Sequence, residues 1–403
     1  MKSTFKKLKG SKIALEVTVE PQDFQKYWDS AYERAVSNVS IKGFRPGAAP
    51  KELADNAINK ALVMENAVND AVRFTLNKIT DENSWTMIDK PKVEVVSENS
   101  PLEKSGFKYT AELVLYPEIT LPDYKKIAAK IREEKHEVAV TAEEISQSLE
   151  WLRKSRAPLV LVARPARKGD VVEVDFEADG KPATDKFELG EGKFIPGFEE
   201  NIENKKGGDE FSFTIKAPND YWKEEMRGKD IAFKVKLKSV FEMNAPEAND
   251  EFAKTLGKFE NLEDLKKNIN EGLKAEKENK EADRIKVKIL EGICEGTKAD
   301  LPEIFIEKTL DGLVEELRKT IEGAGKKAED ARGDLRKAAE RRVLANIVIH
   351  EIAKQEHLEP SKEEVEEESK FHAGETKGLD VSRFYDYIYG ILINKKVFEL
   401  LQK

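Results

Sequence analysis

Apolar and polar residues alternate along Ser11–Glu20, where Ile13, Leu15, Val17 and Val19 share one side of the chain. That period of two predicts a half-buried strand. Beyond Pro21 the period lengthens, with Phe24, Trp28, Tyr32 and Val36 recurring at every fourth position. Such spacing lines one face of a helix that starts behind the proline and stops before a Gly/Pro run. A second helical stretch is expected from about Lys51 to Ile79, with Leu62, Val63, Ala67, Val72, Leu76 and Ile79 as its apolar positions. KVEVV and FKYTAELVLYP read as two further strands. Strand, helices and two strands make a small α+β domain.

From Thr120 to Lys154 the pattern is charged and helical, with Thr141 and Glu144 spaced as a capping box and Ile145, Leu149 and Leu152 as one stripe. Near Lys168 the period returns to two. GDVVEVDFEADG, FSFTIKAP and DIAFKVKLKSVFE are predicted strands separated by DG, KGGDE and RGKD turns. Helices resume after Met243, in one long stretch from Asn261 to Ile293, then LPEIFIEKTLDGLVEELRKTI, DLRKAAERRVLANIVIHEIAKQEHL, the acidic SKEEVEEESK, and VSRFYDYIYGILINKKVFELLQ. Helical segments of one character therefore lie on both sides of a β-rich stretch. The simplest folding is a helical domain interrupted by an inserted β module. The expected layout is an α+β domain over 1–118, a linker and first helical part over 119–165, the insert over 166–243, and a helical remainder over 244–403.

Composition sharpens this picture. Charged residues make up 36% of the 403 and hydrophobic ones 39%, a balance richer in charge than the roughly 25% of an ordinary globular chain. Several small cores on solvated helices fit it better than one large core. A net charge of −9 argues against general nucleic-acid binding while leaving room for a local basic patch. The single cysteine, Cys294, excludes an internal disulfide framework. Neither a secretory signal nor an apolar run of membrane-spanning length is visible, so a cytoplasmic protein is expected. No glycine-rich phosphate loop ending in Lys-Ser or Lys-Thr occurs. His136, His350, His357 and His372 lack metal-ligand spacing, although His350 and His357 would share a helix face two turns apart. No cofactor or metal is expected.

Two Gly/Pro strings carry the candidate chemistry. GKFIPGFEENI, Gly192–Ile202, sets Phe194, Ile195 and Phe198 around a Pro-Gly pair, and its acidic end suits a following helix start. Those side chains suit a plug in the module's core as well as a pocket floor. IKGFRPGAAP, Ile41–Pro50, places Phe44 and Arg45 where neither helix nor strand can form. Gly43 and Gly47 permit a tight tip, and Pro46 and Pro50 restrict the free loop. Phe44 offers apolar area, Arg45 can grip phosphate or carboxylate in bidentate fashion, and Lys42 adds a cation.

The segment from Asp170 to Val240, with GKFIPGFEENI at its centre, resembles the FKBP-type peptidyl-prolyl isomerases. The resemblance implies that Phe176, Ile195, Phe198, Tyr221 and Phe233 line a proline pocket, with Phe198 at its base and the Tyr221 hydroxyl near the substrate carbonyl. Only KPATDK separates ADG from FELG, where that family has a longer flap, and Asp185 falls near the place of a pocket aromatic. The short flap implies a shallow pocket and weak or lost activity.

GFRPGAAP in turn resembles the ribosome-docking signature of the trigger factor family, and the order of domains matches that family along essentially the whole chain. This implies an N-terminal ribosome-binding domain, an FKBP-like insert and a discontinuous all-α chaperone domain. Lys42, Gly43, Phe44, Arg45, Pro46 and Gly47 would dock on a large-subunit protein and ribosomal RNA near the exit tunnel. Ala48 and Ala49 stand where many members carry another Lys, which implies weaker docking. The implied activity is ATP-independent shielding of nascent and unfolded polypeptides with prolyl isomerisation, without membrane association, and with weak homodimerisation off the ribosome. The alternatives are a chain that is primarily an isomerase, and a free holdase with no ribosomal anchor.

Overall fold

A computed structural model describes residues 1–42, 44–45, 50–96, 106–178, 180–221, 226–323, 328–372 and 381–403. The protein is an α+β multidomain chain that divides into two compact units, 1–135 with 283–403, and 136–282.

The first unit opens with an antiparallel sheet in the order β1-β2-β4-β3, formed by β1 (Lys2–Leu8), β2 (Lys12–Val19), β3 (Lys92–Val96) and β4 (Phe107–Val114). In register, Leu15 faces Ala111 and Val17 faces Tyr109. Their apolar sides meet α1 (Pro21–Asn38) and α3 (Lys60–Glu82) through Phe24, Ala31, Val63, Ala67, Leu76 and Ile79. The buried Tyr109 hydroxyl is satisfied by Thr75 Oγ1 at 2.9 Å, as a buried polar group must be.

Two features depart from the expected layout. Strand β1 was absent from it because KSTFKKL has no apolar alternation and every residue of the strand is exposed; backbone pairing with β2 alone makes it a strand. The expected single helix from Lys51 is two, α2 (Lys51–Ala57) and α3, because the Asn59 side chain turns back to accept from the amides of Ala61 and Leu62 and caps the second.

The helical remainder of this unit packs α4 (Tyr124–Arg132) with α7 (Leu262–Gly296), α8 (Glu303–Glu316), α10 (Ala328–Gln355) and α12 (Val381–Gln402). Ile131, Ile289, Ile293, Ile352, Ile393 and Val397 form its main core, and Ile306, Leu310, Val343 and Ile347 join α8 to α10. The short α9 (Arg318–Gly323) follows α8, and α11 (Lys362–His372) precedes α12. A two-residue pairing of β5 (Ile119–Thr120) with β11 (Lys298–Ala299) ties the two chain segments together. His357 lies beyond the end of α10 with φ +54°, so it does not share a helix face with His350.

The second unit holds α5 (Ala142–Ser155), α6 (Asp250–Leu256), the first part of α7, and a five-stranded antiparallel sheet. The Thr141–Glu144 capping box forms as expected. In the sheet, β10 (Asp230–Met243) pairs with β7 (Val171–Ala178) along one edge, and with β9 (Glu210–Lys216) and then β6 (Leu159–Leu161) along the other. A register shift between Leu237 and Ser239 marks a bulge, which bends the long strand and lets it serve two neighbours. KPATDK lies in β8 (Lys181–Glu188), which pairs with β7 from Ala178↔Lys181 onward as a hairpin.

Candidate functional site

The aromatic site is built on this sheet. Strands β7 and β10 present Phe176 and Phe233 from the sheet's inner face, where Val174, Val235 and Leu237 are also buried. The string Gly192–Ile202 supplies the rest. Ile195 to Phe198 is a β-turn closed by the Phe198 amide donating to the Ile195 carbonyl at 3.0 Å, with Gly197 at φ +96°. Proline second and a positive-φ glycine third is the type II arrangement, and it delivers Phe198 into the core. Beyond it the chain forms successive turns; the helix expected there is absent.

Phe198 is fully buried, with ring centroids 5.5 Å from Phe176 and 5.1 Å from Phe233, both in edge-to-face contact. Ile195 and Tyr221 are half-buried against the same core. The five residues assigned to the pocket from sequence are therefore brought together. Phe194, already set beside the Pro-Gly pair, joins them, and Phe187 and Phe213 were missed. Phe194 stacks on Phe198 at 4.4 Å and 18° and touches Phe187 at 4.5 Å. Phe213 lies 5.6 Å from Phe198 on the opposite strand edge. The period-two position of Phe213 in FSFTIK carried the signal.

Glu199 is the site's other unexpected member. It serves as no helix start. Its buried carboxylate accepts from the amides of Gly190 at 2.7 Å, Gly192 at 3.2 Å and Phe194 at 3.3 Å. A carboxylate taking backbone donors forms strong, charge-assisted bonds, so the loop before the turn is tied from beneath. Nearby, Asp170 receives both prongs of Arg164 at 2.5 and 2.9 Å and the Arg167 amide at 2.9 Å. Burial pushes its carboxyl up, but those donors outweigh burial and hold it below 3.8.

At the other string, Phe44 is 42% exposed, and its amide donates to the Ile41 carbonyl at 3.0 Å. Lys42 and Arg45 are exposed, and among the described residues no carboxylate pairs with either. Cations nearby differ: Arg34 and Arg73 pair with Asp70, and Lys60 with Asp55. Gly43, Pro46 and Gly47, assigned to the same site, lie outside the described residues, as do Ala48 and Ala49.

Other chemistry is unpromising. Burial, with a smaller push from Glu291, raises the Cys294 thiol to about 11, far from a reactive thiolate. Desolvation lowers the His350 pKa. Among the described residues no cluster of His, Cys, Asp or Glu is arranged for a metal, and no helix is long and apolar enough to cross a membrane.

Comparison with known proteins bears on both strings. Residues 1–152 match the family model described as bacterial trigger factor protein, 261–398 match its C-terminal counterpart, and 162–238 match FKBP-type peptidyl-prolyl cis-trans isomerase. The trigger factor of Caldicellulosiruptor saccharolyticus is 31% identical over 415 residues, covering 96% of this chain and 93% of that protein. That of Halothermothrix orenii is 32% identical over 381 residues, covering 89% and 87%. A solved structure of the trigger factor chaperone aligns over the whole of both chains with a TM-score of 0.50 and 22% identity, a likeness of fold.

Proposed function

The chain belongs to the trigger factor family, and from that premise we propose which residues of this ribosome-associated, ATP-independent chaperone anchor it and which act on prolyl bonds. Lys42 to Gly47 is the anchor. Phe44 enters an apolar recess of a large-subunit protein, while Lys42 and Arg45 meet phosphate of adjacent ribosomal RNA. The observation that supports this reading is the exposure of Phe44 beside two cations unpaired among the described residues. A phenylalanine held out of its own core gains when a partner covers it. Domain limits near 118, 165 and 243 follow as part of the same reading, as do client capture by the helical domain and weak self-association.

The FKBP-type module makes the chain a peptidyl-prolyl isomerase. Phe176, Ile195, Phe198, Tyr221 and Phe233 are its binding site in this reading. Rotation about an X–Pro bond meets a barrier of about 18–20 kcal/mol, most of it amide resonance. The twisted amide has lost that resonance and much of its charge separation. An apolar, aromatic surround favours it over the planar ground state, which is better solvated by water. The Tyr221 hydroxyl would orient the carbonyl of the residue before proline. No nucleophile, metal or nucleotide enters these steps.

Co-sedimentation with bacterial ribosomes at low and moderate salt tests the anchor. A Phe44→Ala, Arg45→Ala double variant with an unchanged melting profile should fail to pellet. Equal pelleting of variant and wild type would move the anchor elsewhere and favour a free holdase.

A further inference from the structure

The base of the prolyl site has no surface to offer. Phe198 is 0% exposed, so a substrate ring cannot lie on it in this conformation. What covers it is its own neighbour. The Phe194 ring is stacked on the Phe198 ring, with centroids 4.4 Å apart and planes within 18°. It also meets Phe176 edge-on at 5.6 Å and Phe187 at 4.5 Å. Flat stacking on the floor and edge contact with a wall are the contacts a bound proline ring would make.

Phe194 is nonetheless no ordinary core residue. It stays half-exposed on an outer loop that belongs to no helix or strand. Two devices hold that loop down. Beneath, the Glu199 carboxylate takes the amides of Gly190, Gly192 and Phe194. Above, the Lys193 ammonium reaches both carboxylate oxygens of Asp185 on β8, at 3.0 and 3.1 Å, while lying 6.0 Å from the Phe194 ring centroid. Asp185 therefore has a task of its own: it straps the segment bearing Phe194 to the sheet.

We propose that Phe194 is a gate that occupies the proline's seat, latched by the Lys193–Asp185 pair, and that a prolyl substrate binds only after displacing it. This rests on the assignment of Phe198 as the floor of the prolyl site. A site competent only in a minor, open conformation binds with its intrinsic affinity reduced by the open fraction. Cutting back the gate removes that penalty. Loosening the latch removes part of it, because the pair is partly solvated: the Lys193 and Asp185 side chains are 51% and 34% exposed.

The test measures cis-trans exchange of a short Xaa-Pro peptide by NMR with the full-length protein, for wild type, Phe194→Ala, Asp185→Asn and Phe194→Ala/Phe198→Ala. Phe194→Ala should lower KM by about five- to tenfold with little change in kcat, since stacking is lost from the closed state only. Asp185→Asn should lower KM by about twofold, and the double variant should lose the gain. An unchanged or raised KM in Phe194→Ala would make Phe194 a wall of the site and overturn the gate, leaving the isomerase site standing. A gain that survives Phe198→Ala would instead show that Phe198 is not the floor, and would overturn gate and site assignment together. Should Phe194→Ala fail to fold, the surface variant Asp185→Asn decides, with an unchanged KM overturning the latch.

Discussion

GFRPGAAP and GKFIPGFEENI are nearly the same string: glycine, phenylalanine, a basic residue, proline and glycine within a few positions. Their fates are opposite. Phe44 keeps 42% of its surface, whereas Phe198 keeps none and is ringed by Phe176, Phe187, Phe194, Phe213 and Phe233. The first string joins α1, whose apolar face is spent on the N-terminal sheet, to the short α2, whose Leu53 is itself exposed. The second crosses the open inner face of a sheet that supplies aromatic side chains from four strands and from the string itself. A Gly/Pro turn is thus neutral machinery. Whether its aromatic becomes a probe or a floor depends on what surface lies within reach of the turn.

The contrast is broken most directly by truncating each ring. Phe198→Ala should cost the module about 3–5 kcal/mol, because a large cavity opens in a core with little room to collapse. Phe44→Ala should change stability by no more than about 0.5 kcal/mol. Chemical denaturation of the two variants measures this, and similar costs would mean that Phe44 is a packing residue after all. Next in size, the Phe44→Ala, Arg45→Ala pair should weaken ribosome binding by about 2–3 kcal/mol, the range of an interface anchor. A loss as large at moderate salt as at low salt would assign most of it to Phe44.

Glu199→Gln sharpens the second half of the comparison. An amide in place of the carboxylate keeps one acceptor but buries a new donor among backbone amides, so the module should lose about 1–2 kcal/mol, read from its denaturation midpoint. Unchanged stability would mean the loop before the turn needs no tether. The smallest effect is on acid sensitivity. Asp170 has its folded pKa held below the unfolded 3.8, chiefly by Arg164 against the upward push of burial. Its stabilisation is therefore present above 3.8 and lost as pH falls through the lower folded value. Titration with an Asp170→Asn control should show the module loosening in that window, while Phe44 exposure stays constant.

Much was legible beforehand because it is local. Period-two runs became β2, β4, β7 and β10, long charged amphipathic runs became α7 and α10, and Thr141 with Glu144 formed the cap they spell. Features held by pairing rather than pattern were not legible. Strand β1 has no apolar alternation, is exposed throughout, and exists because β2 offers it a ladder. KPATDK became β8 by zipping onto β7 through a tight hairpin, although its side chains face outward and show no alternation.

The same division runs through the two sites. Sequence alone determined that two turns carry phenylalanine and that the chain is an α+β protein with a β-rich insert, while the grouping of Phe176, Phe198 and Phe233 was implied only by the resemblance to the FKBP-type isomerases. Turn chemistry and hydrophobic period act over a few residues, so the order of amino acids states them outright. Only the tertiary structure decided that Phe44 stays out and Phe198 goes in, that Glu199 is a buried tether, and that Phe194 lies flat on Phe198. Those outcomes depend on which surfaces meet across long stretches of chain. Burial free energy scales with area removed from water, and that area exists only once the sheet has formed beneath the turn.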